Sequence, residues 1–178
     1  YGYTGGLIAL IIFAFSPTVM AHSRFVTTDV PAAFGILFAT YFFIRYLKQQ
    51  NFRNFIIAAL VFGIALLTKF STFLLVPFLG LLALVYAWLE STPGLKNKIK
   101  NSITRGTKAL SVFVVGFIII VWPVYYLHTY NYPPERQHSD TTTLLQSYDN
   151  RALAETVIWL SDKPFLRAAG HYGLGLLM

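Results

Sequence analysis

The stretch PAAFGILFATYFFIRYL, residues 31–47, is almost entirely apolar, and Arg45 is its single charged side chain. A helix needs about 20 predominantly apolar residues to cross a hydrocarbon core of about 30 Å, so this stretch predicts a membrane-spanning helix. Pro31 stands near its start, where the missing amide donor is tolerated. Working outward from this stretch, the expected spans are about 5–21, 31–47, 54–68, 70–90 and 109–128.

The composition is that of a membrane protein. Of the 178 residues, 56% are hydrophobic and 12% are charged, whereas about a quarter of the residues of a soluble domain are charged. The absence of cysteine excludes a disulfide framework and a thiolate nucleophile. We therefore predict an all-α fold, a polytopic transmembrane helical bundle of about five spans with an outer-face amphipathic segment. Residues 1–130 would form the transmembrane core, and residues 131–178 a non-cytoplasmic loop with an interfacial helix and the start of a further span.

The positive charges predict the orientation of these spans. Eight of the 14 cationic residues lie in the connections after the second and fourth spans, which share one side of the membrane if the spans alternate. They are Arg45, Lys48, Arg53, Lys96, Lys98, Lys100, Arg105 and Lys108. The positive-inside rule assigns that side to the cytoplasm. The net charge of +7 is then a consequence of topology, and these runs lack the interleaved aromatics of a nucleic-acid surface.

A second group of ionisable residues collects on the opposite, non-cytoplasmic side. The stretch AHSRFVTTDVPAA, residues 21–33, contributes His22, Arg24 and Asp29, and the connection after the third span contributes Lys69. Ionisable groups near the bilayer are costly, so they pair, extend to the interface or mark a functional pathway. Asp29 has a structural interpretation as a helix cap, and Lys69 as a lysine that reaches the interface.

The same residues also have a functional interpretation. Arg24 and Lys69 would hold the phosphate of a lipid-linked substrate, while Asp29, with His22, would bind a divalent metal or the donor. Hard divalent cations such as Mg²⁺ and Mn²⁺ prefer oxygen ligands and bridge phosphates, and Zn²⁺ also accepts histidine. One carboxylate makes only part of such a site.

Two segments resemble a known family. SPTVMAHSRFVTTDVPAAFGILFATYFFIRYL, and GIALLTKFSTFLLVP about 20 residues later, are similar to the membrane core of the dolichyl-phosphate-mannose protein mannosyltransferases. That family includes bacterial aminoarabinose transferases, and all belong to the GT-C class of glycosyltransferases. The resemblance covers roughly residues 1–125. The AHSRFVTTDVP and GxALLTKxS stretches are its most specific parts.

The resemblance implies a polytopic enzyme that transfers a sugar, with inversion, from a polyprenyl-phosphate donor to an acceptor protein, lipid or glycan. Transfer would occur on the non-cytoplasmic side of a bacterial plasma membrane rather than of the endoplasmic reticulum. Asp29 matches an acidic position associated with a metal or the donor phosphate, Lys69 a phosphate contact, and Arg24 a basic position. The family's catalytic base is an acidic residue of the first outer loop. We expect that base upstream of Tyr1, so this segment alone should be inactive.

The final 48 residues would complete the outer face. Pro133 and Pro134 are expected to prevent a helix in the polar stretch that follows them, whereas Leu153, Val157, Ile158 and Leu160 predict one apolar face of an interfacial helix. In the family, outer segments of this kind bear on substrate access. Candidate acceptor-rim residues are Glu135, Arg136, His138 and Asp140.

Two other classes of protein also have polar residues beside short spans. A transporter or flippase would place its charges near the midplane of paired, inverted halves. A non-catalytic membrane subunit would use Asp29 as a cap and Lys69 as an anchor. Retained transfer after both residues are changed would favour the non-catalytic alternative.

Overall fold

The computed structural model describes residues 2–23, 28–91 and 94–178, with the side chains of residues 22 and 23 left undescribed. Within these ranges the chain forms helices and no strand, which confirms the all-α prediction. The helices are α1 (Gly2–Ala14), α2 (Pro17–Ser23), α3 (Asp29–Lys48), α4 (Phe52–Thr68), α5 (Leu75–Glu90), α6 (Leu95–Gly116), α7 (Trp122–Thr129), α8 (Pro134–Leu144), α9 (Arg151–Asp162) and α10 (Arg167–Leu177). A 3₁₀ turn (Phe70–Leu74) leads into α5, and a π turn (Phe117–Val121) joins α6 to α7.

Three continuous helical segments among the described residues are long and apolar enough to cross a membrane. They are Asp29–Lys48, Phe70–Glu90 and Leu95–Thr129. Helices α1 and α4 are apolar but shorter. The region 5–21, expected to form one span, contains α1 and the beginning of α2.

Small side chains let α3 and α4 pack closely. Ala39 of α3 and Ala58 and Ala65 of α4 are fully buried. A Cβ atom added to Gly35 would lie 3.2 Å from the Cα and Cβ atoms of Ala65. Close approach of this kind is how helices associate in lipid, where burial of apolar surface gives little net driving force.

The tightest crossing in the bundle core brings α4 against α6. A Cβ atom at Gly63 would lie 2.5 Å from the carbonyl oxygen of Gly116 and 2.7 Å from Cβ of Ile120. A Cβ atom at Gly116 would in turn overlap the carbonyl oxygen of Ala59. Beside this crossing the rings of Phe62 and Phe113 pack at 4.8 Å between centroids. The two backbones can therefore meet only because both positions are glycine.

The π turn in the long helix has an identifiable cause. Pro123, the second residue of α7, lacks an amide hydrogen, and its ring would clash with the carbonyl of Ile119 in a regular α-helix. Widening the turn over Phe117–Val121 relieves that clash while the helix continues. The segment Leu95–Thr129 is thus one continuous helical segment with an irregular middle.

The two basic connections meet at one end of the bundle. The guanidinium of Arg105 donates to the carbonyl oxygen of Leu47 at 2.9 Å and forms an ion pair with Glu90. The ammonium of Lys108 donates to the side chain of Gln50. The ends of α3 and α5 and the first half of α6 therefore share this end, as the distribution of charge predicts.

The outer segment differs from expectation at two points. Helix α8 begins at Pro134, so the prediction that Pro133 and Pro134 prevent a helix there is wrong. The first position of a helix accepts proline because its amide would have no intrahelical partner. Helix α9 buries Ala154, Val157 and Ser161 against α10, whereas Leu153 of the expected apolar face is exposed.

Replacing either glycine at the crossing should destabilise the protein. We expect Gly63→Ala and Gly116→Ala each to lower the free energy of unfolding by about 1–3 kcal/mol, because a methyl group must displace backbone. Thermal unfolding of the detergent-solubilised protein, followed by circular dichroism, measures the change.

Gly106→Ala is the matched control on α6. The nearest neighbour of its added Cβ would be a Leu84 methyl carbon at 3.9 Å, so the change should be neutral or should stabilise the helix by up to about 1 kcal/mol. Equal stability of Gly116→Ala and Gly106→Ala would contradict the close crossing.

Candidate functional site

Asp29 and Lys69 meet at the end of the bundle opposite Arg105. The ammonium Nζ of Lys69 donates to Oδ1 of Asp29 at 2.6 Å, across 40 residues of sequence. The Lys69 side chain is 41% exposed and that of Asp29 is 61% exposed. The pair is thus accessible to a ligand.

Lys69 is held at a defined break between two helices. Its backbone is extended, with φ −163° and ψ 142°, between the end of α4 and the 3₁₀ turn. The buried hydroxyl of Thr72 lies 2.9 Å from the carbonyl oxygen of Ala65 and 2.6 Å from that of Lys69. The amide of Thr72 also donates to the Lys69 carbonyl at 3.0 Å. Thr72 therefore satisfies carbonyls that the break leaves without helical partners.

Asp29 stands in the first turn of α3. The N-cap position belongs to Thr28, whose side chain makes no capping hydrogen bond. A carboxylate in the first turn interacts favourably with the helix dipole. The carboxylate of Asp29 thus has two roles: it stabilises the beginning of α3, and it forms an ion pair with Lys69, which is distant in the sequence.

Two further residues predicted at this site, Arg24 and His22, have side chains that the structure does not describe, and Arg24 lies wholly outside the described residues. Around Asp29 and Lys69, the described side chains therefore offer a metal one carboxylate. Among the described residues, no three His, Asp or Glu side chains are grouped closely enough to hold a metal ion.

The candidate rim residues all lie on α8. Arg136 faces Asp140 at 3.7 Å, and His138 Nδ1 lies 2.8 Å from the Asp162 carboxylate on α9. The hydroxyl of Tyr132 donates to Asp140, and this hydrogen bond raises the pKa of Tyr132. Glu135 is exposed in the first turn of α8. These contacts orient α8 but leave most of its polar face open to solvent.

The structure contains a cavity that the sequence did not predict. It has a volume of about 540 Å³ and lies between the end of α4, the 3₁₀ turn, α7, α8 and α10. Its lining residues are Leu67, Phe70, Val124, Tyr125, His128, Leu144, His171, Leu174, Gly175 and Met178. Lys69 stands in sequence between two of them. The cavity wall thus includes residues shortly before and directly after Lys69, whereas neither Lys69 nor Asp29 lines the cavity.

Two histidines form the polar part of the cavity wall. The rings of His128 and His171 are 5.9 Å apart between centroids, and His171 also lies 6.1 Å from the ring of Tyr125. Nδ1 of His171 is buried and has no hydrogen-bond partner among the described residues. Helix α10 lies outside the three long apolar segments, and burial, followed by the electrostatic influence of the neighbouring His128 and Arg167, lowers the pKa of His171.

Arg167 fixes α10 in this position. Its Nε donates to the side chain of buried Gln137, and its Nη2 donates to the carbonyl oxygen of Tyr132 at 2.6 Å. Gly175 permits close packing on Phe70, because a Cβ atom there would overlap the phenyl ring. The glycine-rich segment AAGHYGLG was the available sequence signal for close packing, but nothing in it indicates a partner.

The first 126 residues of the chain are similar to a known protein family. The profile of the dolichyl-phosphate-mannose-protein mannosyltransferase family matches residues 1–126, which include Asp29 and Lys69. No significant match is found among curated proteins or among solved structures. Because the match covers more than half of the chain, it decides between a glycosyltransferase and the transporter or subunit alternatives. The chain belongs to the dolichyl-phosphate-mannose-protein mannosyltransferase family and is an integral membrane glycosyltransferase of the mannosyltransferase type.

Proposed function

We propose that this protein transfers a sugar from a polyprenyl-phosphate donor to an acceptor on the non-cytoplasmic face of a bacterial plasma membrane. The observation that carries the proposal is the ion pair between Asp29 and Lys69, which lies opposite the basic end of the bundle. Leu67 and Phe70, on either side of Lys69 in the sequence, line a cavity. The positive-inside rule supports the non-cytoplasmic assignment of this end. The acceptor would be a protein, a lipid or a glycan.

Lys69 would bind the donor phosphate. An ammonium group has three hydrogen-bond donors, and the contact with Asp29 uses one of them. Two donors can therefore face phosphate oxygens while the carboxylate keeps the ammonium in place. Arg24, which resembles a basic position of the family, would add a second positive charge.

The reaction would be a displacement at the anomeric carbon. The hydroxyl oxygen of the acceptor attacks this carbon and gives its proton to the acidic base that the family resemblance implies, while the bond to the phosphate oxygen breaks and its electron pair leaves with the lipid phosphate. Negative charge on that phosphate increases in the transition state, where a fixed ammonium stabilises it most. Lys69 would thereby increase the rate of the chemical step as well as the affinity for the donor.

Removing the carboxylate of Asp29 should impair transfer. We expect Asp29→Asn in the full-length protein to lower kcat/KM for the donor by about 10- to 100-fold, the effect of losing a hydrogen bond to a charged group. Release of labelled sugar from a polyprenyl-phosphate donor into acceptor measures it. Glu90→Gln is the matched control, because Glu90 forms a comparable ion pair with Arg105 at the opposite end.

A chelator in the same assay separates two roles of Asp29. Loss of wild-type transfer that Mg²⁺ or Mn²⁺ restores would assign the carboxylate to a metal, whereas unchanged transfer would assign it to the ion pair. Full activity of folded Asp29→Asn would contradict both roles.

Thr72 should act as a positioning residue. Thr72→Val keeps the shape of the side chain but leaves the carbonyls of Ala65 and Lys69 without its hydroxyl. We expect kcat/KM for the donor to fall by about 5- to 10-fold, because one hydrogen bond that fixes Lys69 is lost. Thr72→Ser, which keeps the hydroxyl, should restore most of the activity. Equal impairment in the serine variant would show that packing, and not the hydroxyl, matters at this position.

A further inference from the structure

The cavity lined by Leu67 and Phe70 combines two parts of the chain. Leu67, Phe70 and Tyr125 lie within the residues that match the family, whereas His128 and His171 lie beyond them. Its volume of about 540 Å³ is within the range of about 300–1,000 Å³ that is usual for small-molecule sites. The cavity is large enough for a ligand, and its polar wall is formed by residues outside the family match.

The two imidazoles define the chemistry of that wall. Nδ1 of His171 is buried within the protein, whereas His128 and His171 both line the cavity, so two imidazole rings are available to a ligand there. A neutral imidazole carries one donor and one acceptor nitrogen. Hydroxyl groups also donate and accept, so a ring bearing adjacent hydroxyls complements two neighbouring imidazoles.

The other groups around the cavity favour an uncharged ligand. The guanidinium of Arg167, the strongest positive charge beside His171, is engaged by Gln137 and the carbonyl of Tyr132. Phe70 and Tyr125 supply aromatic surfaces, whose negatively polarised faces attract the C–H groups of a ring. The remaining wall is aliphatic. This combination suits a saccharide ring better than a second anion.

We propose that the cavity binds a saccharide ring, with His128 and His171 hydrogen-bonding to its hydroxyl groups and Phe70 and Tyr125 packing against its faces. The inference rests on the proposed function, because the ring would belong either to the lipid-phosphate donor or to the acceptor. The phosphate of the donor would remain with Lys69. The two histidines thus determine which sugar is accepted and do not take part in bond breaking.

Kinetics of two histidine variants test the proposal. His128→Phe and His171→Phe keep an aromatic ring but remove the nitrogens, and each should raise one KM by about 5- to 10-fold with kcat nearly unchanged. Tyr172→Phe is the matched control on α10. This substitution removes a buried hydroxyl that, like Nδ1 of His171, has no hydrogen-bond partner among the described residues, but Tyr172 does not line the cavity. His171→Gln, which keeps a donor and an acceptor, should recover part of the loss.

The affected KM identifies the source of the saccharide. A higher KM for the donor, with unchanged inhibition by polyprenyl phosphate that carries no sugar, assigns the ring to the donor. A higher KM for the acceptor alone assigns it to the acceptor. If all KM values match those of Tyr172→Phe while the wild type transfers sugar, the saccharide site is refuted and the proposed function stands.

A measurement on the wild-type protein covers the cases in which the variants do not fold or no donor is transferred. Ethoxyformylation of His128 and His171 by diethyl pyrocarbonate is followed by mass spectrometry, with methyl α-mannopyranoside as the probe and glycerol at equal concentration as the control. Protection of both residues by the glycoside alone, by at least about threefold, is expected for two imidazoles that share one ligand. Equal labelling with glycoside and glycerol would overturn the saccharide site, and absence of transfer with every donor would overturn the proposed function separately.

Discussion

The bundle depends on the approach of two helix backbones at Gly63 and Gly116. Neither position can carry a Cβ atom without overlap with backbone atoms of the other helix. The crossing fixes the distance between α4 and the long helix that ends in α7. Lys69 follows directly after α4, and His128 lies near the end of α7, so the same contact sets the separation of the two sides of the cavity.

The site at the outer end is built from breaks in regular structure. Lys69 is extended between two helices, and the carbonyls that this break exposes are satisfied by Thr72. The hydroxyl and the amide of Thr72 therefore both help to fix the backbone of Lys69 at the edge of the bundle. Arg167 performs a similar task on α10, where it links three segments of the outer region through Gln137 and Tyr132. Polar side chains thus hold the segments where α-helical hydrogen bonding stops.

The sequence was sufficient for the helical class and for the convergence of Asp29 and Lys69, because hydropathy and alternating topology restrict both strongly. It was misleading at Pro134, since a proline that stops one helix is also an acceptable first residue of another. The cavity was beyond prediction for a different reason. Two helices, α8 and α9, separate His128 from His171 along the chain, and no sequence periodicity links residues that come together in this way. The roles of Asp29, Lys69 and the rim residues remain predictions.

The length of the segment Leu95–Thr129 also has a consequence for how deep the bundle sits in the membrane. At 1.5 Å per residue its 35 residues extend about 52 Å, well beyond a hydrocarbon core of about 30 Å. The surplus lies in its first part, where Lys96, Lys98 and Lys100 precede the apolar half and the ammonium of Lys98 sits 4.5 Å above the ring of Trp88. That part of the helix would stand among lipid headgroups, where lysines find phosphate and tryptophan prefers to lie. These headgroup contacts would oppose displacement of the bundle along the membrane normal in either direction. They would thereby keep the opposite end of the bundle, with its ion pair, at the membrane surface.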